Sequence, residues 1–272
     1  MGEGTLVWRP LRGLSGVMST VLVTGGTGTL GRQVVAGLTQ RGHEVRVLSR
    51  RPGAGTHVGD LSTGDGVAAA AEGAEVIVHA ASDFRKFGAP DAEQTRQLLA
   101  AAPGVRQLLY VSIVGIDRIP FRYYRNKLAC EQLITGSGVP HTILRATQFH
   151  DLVATVLSGV RRLPVAPLPL DFRFQSVDTT DVAARLAELA EGAPQGRAAD
   201  FGGPEVLTLR EMIRTWQQYR GGPRRVVSLP LPGTIAAGFR AGDNTCPDHP
   251  DGTRSWADYL ATDPGPAYRL RG

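Results

Sequence analysis

The sequence lacks most of the features that mark secreted, metal-binding and nucleic-acid-binding proteins. Its 272 residues include only two cysteines, Cys130 and Cys246, which lie far apart and in no CxxC pattern. Such scarcity argues against a disulfide scaffold and suits a reducing compartment, so we expect a cytoplasmic protein. The six histidines form no pair with the spacing of metal ligands, and we therefore expect no metal site.

Long apolar runs and blocks of one charge are also missing. No uninterrupted apolar run approaches the roughly 18 residues that a membrane-spanning helix needs, so no membrane contact is expected. The formal net charge is +5, and only two of the 30 basic residues are lysines, Lys86 and Lys127. Because 25 acidic residues are interspersed among the arginines, we predict no nucleic-acid partner.

Glycine, by contrast, is abundant, and one glycine-containing stretch is organised. Residues 24–31 read TGGTGTLG and directly follow the apolar run 21–23. In a dinucleotide site, Gly25 would make the tight turn, Gly28 would let the backbone approach a pyrophosphate, and Gly31 would let the helix pack on the strand. The alternative is a glycine-rich hairpin, but the apolar residues that follow recur at helical rather than alternating spacing.

The rest of the first half repeats this strand-then-helix unit. Strands are predicted at residues 44–49, 57–61, 75–82 and 107–112, and the intervening helices include residues 63–71 and 91–101. This alternation predicts an α/β fold, a Rossmann-type doubly wound parallel sheet with a small C-terminal substrate-binding subdomain.

The chain divides into three parts on this interpretation. Residues 1–17 are expected to be a disordered extension, residues 18–150 the dinucleotide-binding core, and residues 151–272 the segments that complete the fold and form the substrate pocket. Within the last part, we expect residues 163–170 to be a loop or edge segment and residues 243–252 a mobile surface loop. A capping-box pattern at Thr208 opens another helix, and residues 253–260 offer a last one.

The end of the second predicted strand bears on the choice of cofactor. An NAD site places an acidic residue there against the ribose hydroxyls, whereas residues 45–51 contain no Asp or Glu and end in Arg50 and Arg51. We therefore predict NADP(H) in preference to NAD(H). Asp60, at the end of the third strand, either contacts the adenine or caps the next helix.

A tyrosine and a lysine provide the candidate chemistry. Tyr123 and Lys127 are i and i+4 neighbours in the first turns of a predicted helix, and Ser112 ends a strand eleven residues before Tyr123. An adjacent ammonium is expected to lower the pKa of the Tyr123 phenol and to make proton transfer feasible near neutrality. The alternative is an ordinary exposed pair on an amphipathic helix.

Together with the glycine turn and this pair, residues 111–117 and 143–150 resemble the atypical short-chain dehydrogenase/reductases, in particular the NmrA-like NAD(P)-binding group. The resemblance covers about residues 18 to 262 and implies that Tyr123 is the proton donor, Lys127 binds the ribose and Ser112 orients a carbonyl. The residues expected to bind the cofactor are Gly25, Thr27, Gly28, Thr29, Leu30, Gly31, Arg50, Arg51, Asp60, Leu61, Ala80, Ala81, Ser82, Lys127, Gln148 and Phe149. Gln148 and His150 are placed where they could touch the substrate, although for His150 we favour the interpretation of a hydrogen-bonded loop histidine.

Three functions fit this resemblance. The first is an NAD(P)H-dependent oxidoreductase that transfers hydride to a carbonyl, a quinone or a similar small acceptor. The second is a non-catalytic NADP(H)-sensing regulator that binds a protein partner, because some members of the group lack the tyrosine. The third is a sugar-nucleotide epimerase, for which the region after residue 151 is short. The oligomeric state is left open by the sequence.

Overall fold

A computed structural model describes residues 18–223 and 225–262. Its strands are β1 (Thr20–Thr24), β2 (Glu44–Ser49), β3 (Thr56–Val58), β4 (Val76–His79), β5 (Gln107–Ile113), β6 (His141–Ala146), β7 (Val165–Leu168), β8 (Arg173–Phe174), β9 (Gly196–Arg197), β10 (Leu207–Thr208) and β11 (Arg225–Ser228). Its α-helices are α1 (Thr29–Gln40), α2 (Val67–Ala71), α3 (Asp91–Ala101), α4 (Arg122–Gly136), α5 (His150–Val160), α6 (Thr179–Glu191), α7 (Leu209–Arg220), α8 (Thr234–Ala241) and α9 (Trp256–Thr262). The predicted extension, residues 1–17, lies outside the described residues.

Seven strands form one parallel sheet in the order β3-β2-β1-β4-β5-β6-β9. The first six follow the order 3-2-1-4-5-6 of a doubly wound dinucleotide-binding fold. The predicted α/β fold is therefore confirmed. In such a sheet the strand order reverses between β1 and β4, and ligands bind outside the carboxyl ends of the strands at this switch point.

Alternating side chains of the strands build a core on each face of the sheet. Val21 and Val23 of β1 pack with α1 and α6 on one face, whereas Leu22 packs with α2, α3 and α4 on the other. These strands are apolar on both sides, as expected for a parallel sheet covered by helices on both faces. The first half of the chain is thereby held rigid around the switch point.

The chain after residue 150 contributes both to the sheet and to a smaller layer beside it. Helix α6 packs on α1, and β9 extends the main sheet. The pairs β7/β11 and β8/β10, together with α5, α7 and α9, surround a separate apolar cluster centred on Trp216 and Trp256. The predicted capping box is present, because Thr208 and Glu211 bond reciprocally at the start of α7.

Several predicted boundaries are wrong for identifiable reasons. The helix predicted over residues 63–71 begins only at Val67, because Gly64 and Gly66 adopt positive φ angles of 84° and 69°. Residues 163–170, predicted to be a loop or edge segment, contain strand β7 of the two-stranded sheet β7/β11. Helix α8 was not anticipated. Ranges 18–223 and 225–262 contain no helix that is both long and apolar enough to cross a membrane.

The segment 243–252, predicted to be a mobile surface loop, is anchored by three buried residues, Asn244, Thr245 and Cys246. Asn244 is completely buried, and its Nδ2 donates hydrogen bonds to Gln148 Oε1 at 3.1 Å and to the Arg173 carbonyl at 2.9 Å. The polar residues of this segment suggested a loop tip, but Asn244 instead provides hydrogen bonds to buried groups from both parts of the chain.

Candidate active site

The glycine turn has the geometry that its spacing predicts. Gly25 has a φ of +71°, and a Cβ there would lie 2.7 Å from the Ala81 nitrogen. A Cβ on Gly31 would lie 2.0 Å from the Gly25 carbonyl oxygen, so only glycine lets α1 start so close to the turn. A Cβ on Gly28 would meet only the Gly25 oxygen, at 3.1 Å, and its other side is open.

This turn leaves the start of α1 available to an anion. The N-cap residue is Gly28, and no side chain caps the helix. The N–H groups of a first helical turn have no intrahelical partners, and the helix dipole favours negative charge there. The open space over Gly28 and the uncapped helix together fit the pyrophosphate of a dinucleotide.

The candidate tyrosine meets the glycine turn through the end of β4. Ala81 packs against Gly25, and the next residue, Ser82, places its Oγ 2.9 Å from the Tyr123 hydroxyl. Ser82 also donates to Asp91 Oδ2 at 2.5 Å. The structure thus brings Tyr123 to the carboxyl edge of the sheet, beside the switch point.

Lys127 lies near Tyr123 along α4 but bonds elsewhere. Its Nζ donates to the Val111 carbonyl at 2.7 Å and lies 4.1 Å from the centroid of the Tyr110 ring. Burial lowers the pKa of this ammonium, and the Asp91 charge opposes that change. A buried ammonium over an aromatic face is held by a cation–π contact as well as by its hydrogen bond.

The expected lowering of the Tyr123 pKa is wrong. Burial raises the pKa of the phenol above its usual range, the hydrogen bond with Ser82 lowers it, and the Asp91 charge raises it further. Lys127 is not among the groups that shift it. Tyr123 therefore stays in its neutral, proton-bearing form across the physiological range.

Ser112 is buried, and its part in orienting a carbonyl stays a prediction. It lies near the carboxyl end of β5, it is only 2% exposed, and its Oγ has no hydrogen-bond partner among the described residues. A buried hydroxyl without a partner carries a desolvation cost of about 1–3 kcal/mol, which a substrate oxygen would relieve.

The remaining predicted cofactor residues follow the edge of the sheet. Arg50 and Arg51 are exposed directly after β2, and Thr27, Thr29 and Leu30 belong to the glycine turn and the first turn of α1. Asp60 closes a turn by accepting from the Ser62 nitrogen at 2.8 Å, and Leu61 is buried beside it. The turn function of Asp60 is thus observed, whereas adenine contact stays a prediction.

Residues 148–150 divide between two environments. Phe149 packs against the core beneath the sheet edge, and Gln148 Nε2 donates to the Tyr124 hydroxyl at 3.3 Å. His150 is completely buried, with its ring nitrogens 2.9 Å from Ser176 Oγ and 3.0 Å from the Arg254 carbonyl oxygen. His150 begins helix α5, and both of its ring nitrogens have partners within the protein, whereas contact with a substrate stays a prediction.

Comparison with known proteins agrees with this geometry. The profile of a family described as NAD(P)H-binding matches residues 25–192, which span the glycine turn, Tyr123 and α6. The chain belongs to this NAD(P)H-binding family. Reductases are named among its relatives, and a quinone oxidoreductase is among the solved structures that share its fold.

Three proteins illustrate the similarity in sequence and in fold. A (4-alkanoyl-5-oxo-2,5-dihydrofuran-3-yl)methyl phosphate reductase of Streptomyces griseus subsp. griseus is 33% identical over 77% of both chains. A ceramide reductase of Caulobacter vibrioides is 28% identical over 80% of this chain and 76% of its own. The NADPH complex of an Escherichia coli NADPH-dependent quinone oxidoreductase superposes with a TM-score of 0.73 at 20% identity, over 89% of this chain and 98% of that one, and shows the shared fold.

Three side chains of this NAD(P)H-binding protein were missed by the sequence analysis. Asp91 binds Ser82, and Asn126 Nδ2 donates to the Phe87 carbonyl at 2.8 Å, which pins the loop over Tyr123. Arg32 Nη1 donates to the Thr27 carbonyl at 2.8 Å and so lies beside the glycine turn. Asn126 and Arg32 lie next to recognised motifs, but no spacing rule distinguishes them from ordinary helix-surface residues.

Proposed function

We propose that this protein is an NADP(H)-preferring reductase that transfers hydride to a carbonyl, a quinone or a similar small acceptor, with Tyr123 as proton donor. The single observation that carries the proposal is the continuous contact from Gly25 through Ala81 and Ser82 to the Tyr123 hydroxyl. It joins the dinucleotide turn to a neutral phenol at one sheet edge.

The reaction assigns a separate task to each side chain. NADPH, when bound, supplies the hydride. Ser112 Oγ donates a hydrogen bond to the acceptor oxygen, and Tyr123 gives that oxygen a proton as negative charge develops on it. Lys127, fixed by Val111 and Tyr110, keeps two further N–H donors with which to hold a ribose.

The preference for NADP(H) is supported by charge at the adenosine end. Arg50 and Arg51 are exposed where β2 ends, and no acidic residue lies between residues 45 and 51. An arginine there accommodates a 2′-phosphate, whereas an acidic residue would repel it. The free, buried Cys130 and Cys246 fit a reducing compartment, so a cytoplasmic location is part of the proposal.

The test is the pair of variants Tyr123→Phe and Tyr124→Phe, assayed for NADPH oxidation with a panel of quinones, aldehydes and ketones. Tyr123→Phe is expected to bind NADPH as the wild type does but to lose about 10²–10⁴-fold in kcat, because it lacks the transferable proton. Tyr124→Phe removes the neighbouring hydroxyl, which accepts from Gln148, and is the matched control. An unchanged kcat in Tyr123→Phe would remove this residue from the reaction.

A non-catalytic NADP(H) sensor is the second candidate. It is favoured by the position of Lys127, whose ammonium is tied to Val111 rather than to Tyr123. Such a sensor would bind NADPH without consuming it across the whole acceptor panel, and it would capture a protein partner only when the cofactor is present.

A further inference from the structure

Three side chains from different elements form a hydrogen-bonded chain that ends on Tyr123. The Tyr123 hydroxyl of α4 lies 2.9 Å from Ser82 Oγ in the loop after β4, and Ser82 Oγ lies 2.5 Å from Asp91 Oδ2 at the start of α3. An oxygen–oxygen distance of 2.5 Å is at the short end for a hydroxyl bound to a carboxylate.

The chain has a direction because Ser82 Oγ donates its hydrogen bond to Asp91 Oδ2. Asp91 is 2% exposed, and its other oxygen accepts from the Asp83 nitrogen at 3.0 Å. Ser82 has one hydroxyl proton, which it uses to donate a hydrogen bond to Asp91. Its oxygen therefore accepts a hydrogen bond from the Tyr123 hydroxyl. All three groups are thus polarised toward the carboxylate.

The surrounding loop holds this arrangement in place. The Phe84 ring packs edge-to-face on Tyr123, with centroids 5.4 Å apart, and a Cβ on Gly88 would lie 3.1 Å from the Tyr123 ring. Phe87 has a φ of +52°, and its carbonyl is pinned by Asn126. A non-glycine residue in the left-handed region is strained and persists only where its surroundings fix it.

We propose that Ser82 and Asp91 are positioning residues that form a proton relay acting through Tyr123. The inference rests on the proposed function, because the proposed function makes Tyr123 the proton donor. In reduction, Asp91 is first protonated; the Tyr123 O–H bond then breaks and its proton joins the acceptor oxygen, while Ser82 passes its proton to Tyr123 and Asp91 passes its proton to Ser82, which leaves Asp91 as the carboxylate that accepts from Ser82. Asp91 takes its proton from water, so one proton is consumed for each hydride delivered, and oxidation reverses every transfer.

Several charged and titratable groups around Tyr123 influence the pKa of its phenol. Asp91 faces it from α3, Tyr124, Lys127 and Cys130 lie on its own helix, and Tyr110 lies on β5 beneath Lys127. Burial raises the pKa of Tyr123, and the Asp91 charge adds to that rise. Removal of this charge alone must therefore lower the pKa of the phenol.

The experiment places 3-nitrotyrosine at position 123 of the full chain, because nitration brings the phenol pKa into a range where its colour change can be titrated. Asp91→Asn is expected to lower the pKa of this nitrophenol by about one unit or more. Glu93→Gln, on the exposed surface of the same helix, is the matched control and is expected to leave the pKa unchanged. Equal pKa values in the wild-type and Asp91→Asn backgrounds would overturn the relay.

A second measurement separates a relay from simple electrostatic coupling. With natural tyrosine at position 123, Ser82→Ala and Asp91→Asn are expected to lower kcat for menadione about tenfold or more, and Asp91→Asn is expected to keep the KM for NADPH. Ser82→Thr, which retains a hydroxyl, is expected to keep the wild-type kcat. A shifted nitrophenol pKa with unchanged kcat would overturn the proton transfer. Full activity of Tyr123→Phe, or no turnover with any acceptor, would overturn the proposed function instead, while the titration still decides whether the three side chains form one unit.

Discussion

At the scale of single residues, the site rests on a buried imidazole that has no part in the proposed chemistry. His79 ends β4, with Nδ1 2.7 Å from Thr24 Oγ1 on β1 and Nε2 3.2 Å from Thr95 Oγ1 on α3. Burial, and then the charge of Lys127, lower the pKa of His79 to about 3. The ring is therefore neutral at physiological pH and ties together three elements under the switch point.

This neutral histidine predicts a specific acid sensitivity. The ordinary pKa of histidine is 6.5, so between pH 6.5 and 3 the His79 ring is protonated in the unfolded chain but neutral in the folded chain. The free energy of unfolding should fall by about 1.4 kcal/mol per pH unit on this account as the pH drops from 6.5 toward 3. His79→Gln should flatten the slope by that amount in urea unfolding between pH 6.5 and 4.

The control for this prediction is the same exchange at the exposed His57. His57→Gln should keep the wild-type slope. A wild-type slope in His79→Gln as well would show that other groups govern acid unfolding. The comparison uses slopes because the loss of two hydrogen bonds in His79→Gln lowers stability at every pH.

At the scale of elements, the sequence predicts the helices and strands whose bounds are determined by local apolar periodicity. Helix α3 spans residues 91–101 and strand β2 spans residues 44–49, as predicted, because apolar spacing and end signals lie within the segments themselves. The two-residue strand β9 and helix α8 were missed because tertiary contacts define them. The Ser82–Tyr123 bond was missed for the same reason, since it depends on a loop path.

The glycine turn gives the sharpest prediction for an element. Gly31→Ala places a methyl group 2.0 Å from the Gly25 oxygen, so the turn must open. We expect NADPH affinity to fall at least tenfold and the free energy of unfolding to fall by about 1–3 kcal/mol. Titration calorimetry and urea unfolding measure the two effects.

Gly37 provides a matched control in the same helix. A Cβ there meets nothing within 4 Å, so Gly37→Ala should keep NADPH affinity and gain about 0.5–1 kcal/mol in helix propensity. Equal NADPH affinity in the Gly31→Ala and Gly37→Ala variants would show that the close approach at Gly31 is not needed for the cofactor.

At the scale of the whole molecule, polar contacts join the nucleotide-binding sheet and its helix α6 to the layer that holds Trp216 and Trp256. Asp178 Oδ2 accepts from Arg254 Nη1 at 2.7 Å, and Asn244 bridges Gln148 and Arg173. Helix α6 also covers one face of the nucleotide-binding sheet. These links should make the Trp216 and Trp256 cluster unfold together with the glycine turn, although the two lie in different layers.

The tryptophans allow this coupling to be measured, because the chain has only three and Trp216 and Trp256 both belong to that cluster. In a Trp8→Phe variant, fluorescence-monitored urea unfolding reports the cluster alone. NADP⁺ at a hundred times its Kd should stabilise it by about 2.7 kcal/mol if the molecule unfolds as one unit. The same addition should do much less in Gly31→Ala, where the cofactor no longer binds tightly. If NADP⁺ leaves the fluorescence midpoint of urea unfolding unchanged but raises the midpoint measured by far-UV circular dichroism, the two layers unfold independently.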